Sequence, residues 1–231
     1  MRSRKCWTFL ALGAASLLSR ASLAAETPHA EECPGASAWA IEHPAASESP
    51  PSQGDGRSAI LEPALLEDLK LRVERDQTAR KRWLVDGGNS ELASAVDSLD
   101  TENVAWLRNL ISTKGFPTAA QVGKEGVHVA WLLLQHADQD PKLQKDLLPT
   151  LERRFAAGEL PANDLARITD RVLVAGSKPQ KYGTQFDWFA GDFPLPEQRT
   201  LVETDAARAK LGLMPLADYV CTLRKARSAV K

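Results

Sequence analysis

The chain has 231 residues, 43% of them hydrophobic, with 29 basic against 30 acidic side chains. That length and apolar content suit one domain with a real core, and the balanced charge offers no basic patch of the kind nucleic-acid binding needs. No G-x-S-x-G, H-E-x-x-H, C-x-x-C, phosphate loop or dinucleotide fingerprint occurs, which lowers the expectation of a familiar enzyme.

In chain order, Arg2, Arg4 and Lys5 form a basic start, Cys6 to Leu18 is apolar, and Ser22-Leu23-Ala24 supplies small residues. This predicts a signal peptide over residues 1–24 and an exported protein, periplasmic or secreted. The apolar stretch is shorter than the roughly 20 residues of a spanning helix, so cleavage with no membrane attachment afterwards is expected, a single uncleaved N-terminal anchor being the alternative. Cleavage removes four basic residues and no acid, leaving 25 basic and 30 acidic side chains. Cys33 and Cys221 then remain. An oxidising compartment allows them to pair, tying the N-terminal segment to the last helix, and two unrelated thiols are the equal alternative. Residues 25–59 are rich in Pro, Ser, Glu, Ala and Gly and read as a low-complexity, disordered tail.

Residues 60–231 read as a single helical domain. The expected class is mainly α, six or seven helices around a buried central helix, with one β-hairpin or extended flap. Leu66, Leu69, Val73 and Trp83 mark a helix over 62–84, and Thr101 caps a helix holding Val104, Leu107 and Ile111. The central helix, about 119–137, is apolar on every side and so belongs in the interior. Asp140-Pro141 starts the next, which Gly158 stops, and Pro161 opens another that runs to Gly176. Two final helices are predicted over 204–211 and 215–229. Between them and Gly176, Tyr182, Thr184, Phe186 and Trp188 alternate, and Gly191-Asp192 follows, which predicts the hairpin. Its aromatic side chains pack on the helices or form a stacking surface for a flat ligand.

Candidate chemistry gathers in three places. Asp76 and Arg80 extend the Leu66, Leu69, Val73 stripe by helical steps, so two charges fall on the face that should be buried. They form a pair in the favoured i, i+4 orientation, or the helix emerges into solvent there. His136 ends the central helix beside Gln135, Asp138 and Asp140. The helix C-terminus and nearby acids favour imidazolium, suited to a general acid with Asp138 or Asp170 as partner. His128, two turns earlier, reads as a core histidine. H-A-D-Q-D offers nitrogen and oxygen donors, but Lys142 breaks the calcium-loop pattern, and no metal or cofactor is assigned. Asp170-Arg171 and the run Gln180, Tyr182, Thr184 and Gln185 supply hydrogen-bonding groups for ligand reading or for ordinary hairpin capping.

D-Q-T-A-R at Asp76 to Arg80, V-D-G-G-N at Val85 to Asn89, G-F-P-T-A-A-Q-V-G at Gly115 to Gly123, and A-W-L-L-L-Q-H-A-D at Ala130 to Asp138 follow one another along the chain. D-R-V at Asp170 to Val172, P-Q-K-Y-G-T-Q at Pro179 to Gln185, and G-L-M-P-L-A-D-Y at Gly212 to Tyr219 complete the series. In these motifs the chain resembles the bacterial domain-of-unknown-function family 6624 over nearly all of the domain, with Phe116 where that family has tryptophan. The resemblance implies no activity. It does imply that Asp76, Arg80, Asp86, Asn89, His136, Asp138, Asp170, Arg171, Gln180 and Tyr182 converge on one site. The leading expectation is a polar cleft for a small polar ligand or a cell-envelope component. The alternatives are a metal-independent hydrolase or transferase using His136, and a structural or protein-interaction domain.

Overall fold

A computed structural model describes residues 33–44, 59–188 and 193–229. The expected signal peptide, most of the expected tail and the expected Gly191-Asp192 turn lie outside these residues. Among them are eight helices: α1 (Pro34–Glu42), α2 (Pro63–Val85), α3 (Ser90–Lys114), α4 (Ala119–Gln135), α5 (Pro141–Ala156), α6 (Ala162–Ala175), α7 (Gln198–Lys210) and α8 (Leu216–Ser228). None of the described helices is long and apolar enough to cross a membrane.

Three of the helices begin where a side chain accepts from the first free amides. Asn89 accepts from the amides of Glu91 and Leu92 to start α3. Thr118 and Gln121 form a capping box on α4. Asp140 accepts from Leu143, and Pro141 follows it at the start of α5. The third helix therefore starts eleven residues before Thr101, which lies inside it and bonds back to the Asp97 carbonyl.

Helices α2, α3 and α4 pack on one another, α5 pairs with α6, and α6 leans back on α4. The main core closes around α4, where Val127, Ala130, Trp131 and Leu134 are fully buried against Leu69, Leu107, Leu151 and Ile168. α4 bends at Gly123, whose φ of 71° interrupts the helical run. A second apolar cluster joins Leu84 at the end of α2 to Phe186, Trp188, Phe193 and the inner face of α8. Cys33, at the start of α1, is disulfide-bonded to Cys221, with a Cα separation of 5.8 Å, so α1 is stapled to α8.

The expected hairpin is corrected. Among the described residues there is no β-strand, and 181–188 runs as irregular chain. Its alternation is real, since Tyr182, Thr184, Phe186 and Trp188 are all buried. Its backbone, however, is satisfied by a side chain and not by a neighbouring strand. The amides of Lys181, Tyr182 and Thr184 donate to the Asp170 carboxylate at 2.7, 2.9 and 2.9 Å. The expected six or seven helices likewise become eight, because residues 34–42 are helical.

Candidate functional site

Two helices and the end of a third bring charge into the interior. The inner face of α2 reads Leu66, Leu69, Asp76, Arg80 and Trp83, all buried. The inner face of α3 reads Val96, Asp100, Asn103, Leu107 and Leu110, also buried. His136 terminates α4, and its position is fixed by Gln144 of α5, whose amide donates to the carbonyls of Leu134 and Gln135 at 3.1 and 3.2 Å.

The side chains meet in one network. Arg80 Nε donates to Asp76 Oδ1 at 2.9 Å, and Arg80 Nη2 donates to Asp100 Oδ1. The other oxygen of Asp76 accepts from Gln77 Nε2 at 2.8 Å and faces His136 Nδ1 at 2.9 Å. Asp76, Arg80, Asp100 and His136 are 1, 2, 8 and 4% exposed, so solvent screens little of this charge. Burial alone would raise the Asp76 carboxyl. The charge and hydrogen bond of His136, then Arg80 and Gln77, outweigh it and hold the carboxyl well below the usual range. Asp100 goes the other way, because burial outweighs its single guanidinium partner. Arg80 stays firmly protonated, its two carboxylates overcoming its own burial.

With Asp76 ionised, the proton between the pair sits on Nδ1 of the imidazole, which donates it to the carboxylate. Nε2 is then an acceptor in the neutral ring and a donor in the charged one. It is buried and has no hydrogen-bond partner among the described residues. A buried polar atom left in that state costs free energy, so it marks a position where a further group would be stabilising.

The other expected site residues sort into separate bonded groups. Asp138, half-exposed, pairs with the buried Arg171 of α6. Asp140 caps α5 and pairs with Arg108. Asp170 holds the three amides of 181–184 and the Thr184 hydroxyl, and burial raises its carboxyl despite those bonds. Gln180 and Gln185 tie the same segment, the Gln180 amide donating to the Gln185 carbonyl at 2.7 Å and accepting from its N–H at 2.8 Å. Tyr182 packs with Ala166 and Leu213. Asp86 and Asn89 are exposed at the α2–α3 turn, where Asn89 is the cap described above. Gln135 is buried, its carbonyl bonded to Gln144. The carboxylate that meets His136 is thus Asp76, sixty residues away, while Asp138 and Asp170 are engaged elsewhere. The chain itself connects the groups, through consecutive Asp170 and Arg171 and through His136 and Asp138 two residues apart.

Sequence reasoning missed Asp100 and Arg208. Asp100 carries the same signal as Asp76, a charge on an apolar helical stripe, but starting the helix at Thr101 left it outside. Arg208, near the end of α7, is buried, donating to the carbonyls of Tyr182 and Met214 and lying over the Tyr219 ring. His128, read as a core histidine, is part-exposed and faces Asp164 at 2.6 Å.

A model described as a family of unknown function, DUF6624, matches residues 63–230, from the first residue of α2 past the end of α8. The chain belongs to the DUF6624 family. The match takes in the whole Asp76–Arg80–Asp100–His136 network and leaves α1 and its cysteine outside the DUF6624 region. No curated protein and no solved structure matches the chain.

Proposed function

We propose that this DUF6624 protein is exported and binds a small polar ligand or cell-envelope component, with His136 as the residue that touches it. The observation that carries this reading is the buried Nε2 of His136, unpartnered while Nδ1 is fixed on Asp76. A side chain held this rigidly presents one atom in one direction, which is how a binding or catalytic shell is organised. Asp76 orients the ring, Arg80 and Gln77 orient Asp76, and Asp100 anchors the far side of Arg80.

Acid–base catalysis is the second reading, as a hydrolase or transferase. It is favoured by the carboxylate-held imidazole itself, a geometry that fixes the tautomer and lets Nε2 give or take a proton. Asp76 takes the place expected for Asp138 or Asp170 in that role.

Nitrogen-15 NMR of the histidine rings tests both readings against a panel of amino acids, amino sugars, peptidoglycan fragments and nucleosides. A binding member should shift the His136 Nε2 resonance, and His136→Gln should abolish its binding. Product formation in the same samples would select the catalytic reading. A compound that binds while leaving the His136 ring unperturbed would displace the site from this network. Export has its own test: intact mass of protein made with its leader in a bacterial host should correspond to a start at Ala25, and retention of residues 1–24 would refute cleavage.

A further inference from the structure

We propose that Asp76, Asp100 and His136 form a binding site for a divalent transition-metal ion of the zinc class. The three come from α2, α3 and the end of α4, each at least nine-tenths buried, and one donor atom of each lies within 4.8 Å of the others. Zinc holds nitrogen and oxygen donors at about 2.0–2.2 Å, which sets tetrahedral ligands roughly 3.5 Å apart. An inward movement of about an ångström therefore completes a three-ligand shell, leaving a fourth position for water or a ligand. One imidazole nitrogen and two carboxylate oxygens suit a borderline ion, whereas calcium asks for six or more oxygens.

Charge points the same way. Two carboxylates face one guanidinium, so the buried cluster carries a negative excess whenever the imidazole is neutral. A proton on His136 removes that excess, and so does a metal ion taking the proton's place. Arg80 is the serious competitor, because its guanidinium already lies against both acids. It bonds Oδ1 of each, however, while Oδ2 of Asp76 faces Gln77 and His136 instead. In the metal-bound protein Arg80 and Gln77 act as outer partners that orient the ligating carboxylates. The nitrogen that would ligate is Nδ1, which already faces Asp76 Oδ2 at 2.9 Å, so the ion would take the place of the proton the two share.

The test uses the full chain stripped with a chelator, then titrated with zinc against a chromophoric competitor. One zinc ion should bind per chain. His136→Gln and Asp100→Asn should each weaken binding at least ten-fold, while His128→Gln, whose ring pairs with Asp164 on another face, should not. Because a substitution in the buried network risks unfolding the chain, the wild-type protein supplies a second reading: zinc should move the His136 ring resonances and leave those of His128 in place. Absence of zinc binding, or zinc that moves His128 and not His136, overturns the proposal. The inference shares His136 with the ligand-binding reading without depending on an organic ligand. A panel compound bound by metal-free protein that takes no zinc removes the metal and keeps that reading, whereas zinc binding with no panel hit does the reverse.

Discussion

Arg80 sits in the interior with both of its carboxylate partners, so removing one leaves a guanidinium poorly compensated in a low-dielectric setting. Asp76→Ala should lower the free energy of unfolding by about 3–5 kcal/mol, the range for breaking a buried pair from one side. Denaturant unfolding measures it, and a loss below about 1 kcal/mol would mean that water screens the network. The same residue sets a pH dependence. Its folded pKa is depressed, so its contribution is complete above the unfolded value of about 3.9 and is lost as pH falls through the folded value. The stability gap between wild type and Asp76→Asn should therefore shrink as pH drops below about 4. A gap that stays constant from pH 5 to pH 3 would show that Asp76 acts through shape and not through charge. Asp100, raised by burial, has the opposite sign and acts at higher pH, above the unfolded value.

At the level of elements, the segment 180–185 shows how a side chain can replace a strand. Asp170 accepts four hydrogen bonds from it, and Gln185 adds one to the Arg167 carbonyl, so the segment is moulded onto α6. Asp170→Ala strands three backbone amides, each costing about 1–3 kcal/mol if it stays buried. Hydrogen exchange should show Lys181, Tyr182 and Thr184 losing protection while α4 and α5 keep theirs. Retained protection at those three amides would mean that packing of Tyr182 and Phe186 alone orders the segment. Gly183 tests the same element from the other side. Its φ is 68°, and a Cβ there would lie 2.8 Å from the Leu216 side chain. Gly183→Ala should destabilise by roughly 1–3 kcal/mol through that overlap and the left-handed backbone. A neutral substitution would show that α8 can shift to make room.

For the whole molecule, the staple between Cys33 and Cys221 closes a loop of 188 residues and joins a helix outside the family region to the last helix inside it. α1 has nine residues, short of the roughly 12–15 that an isolated helix needs to persist in water. Reduction, or Cys33→Ser, should therefore release α1 and cost about 2–5 kcal/mol while the body from α2 to α8 stays folded. Hydrogen exchange with and without reductant separates the two parts. Full protection of α1 after reduction would assign its docking to Ala36 and the α8 surface in place of the disulfide.

Much of the helical frame is readable from residues alone. The all-round apolar run at 127–134, the Asp140-Pro141 start and the Gly158 stop are local facts, because helix periodicity, caps and backbone sterics act within a few residues. The charged stripe Asp76–Arg80 was readable for the same reason. Whether it met solvent or the interior depended on what packs against α2, which no local rule contains. Tertiary structure chose Asp76 over Asp138 as the partner of His136, brought in Asp100 from a helix whose start had been misplaced, and gave Asp170 to a loop in place of the network. It also turned an alternating segment into irregular chain. Alternation reports which side chains are buried. What the backbone bonds to is decided by whichever donor or acceptor the packed helices place within reach, and here that was one carboxylate on α6.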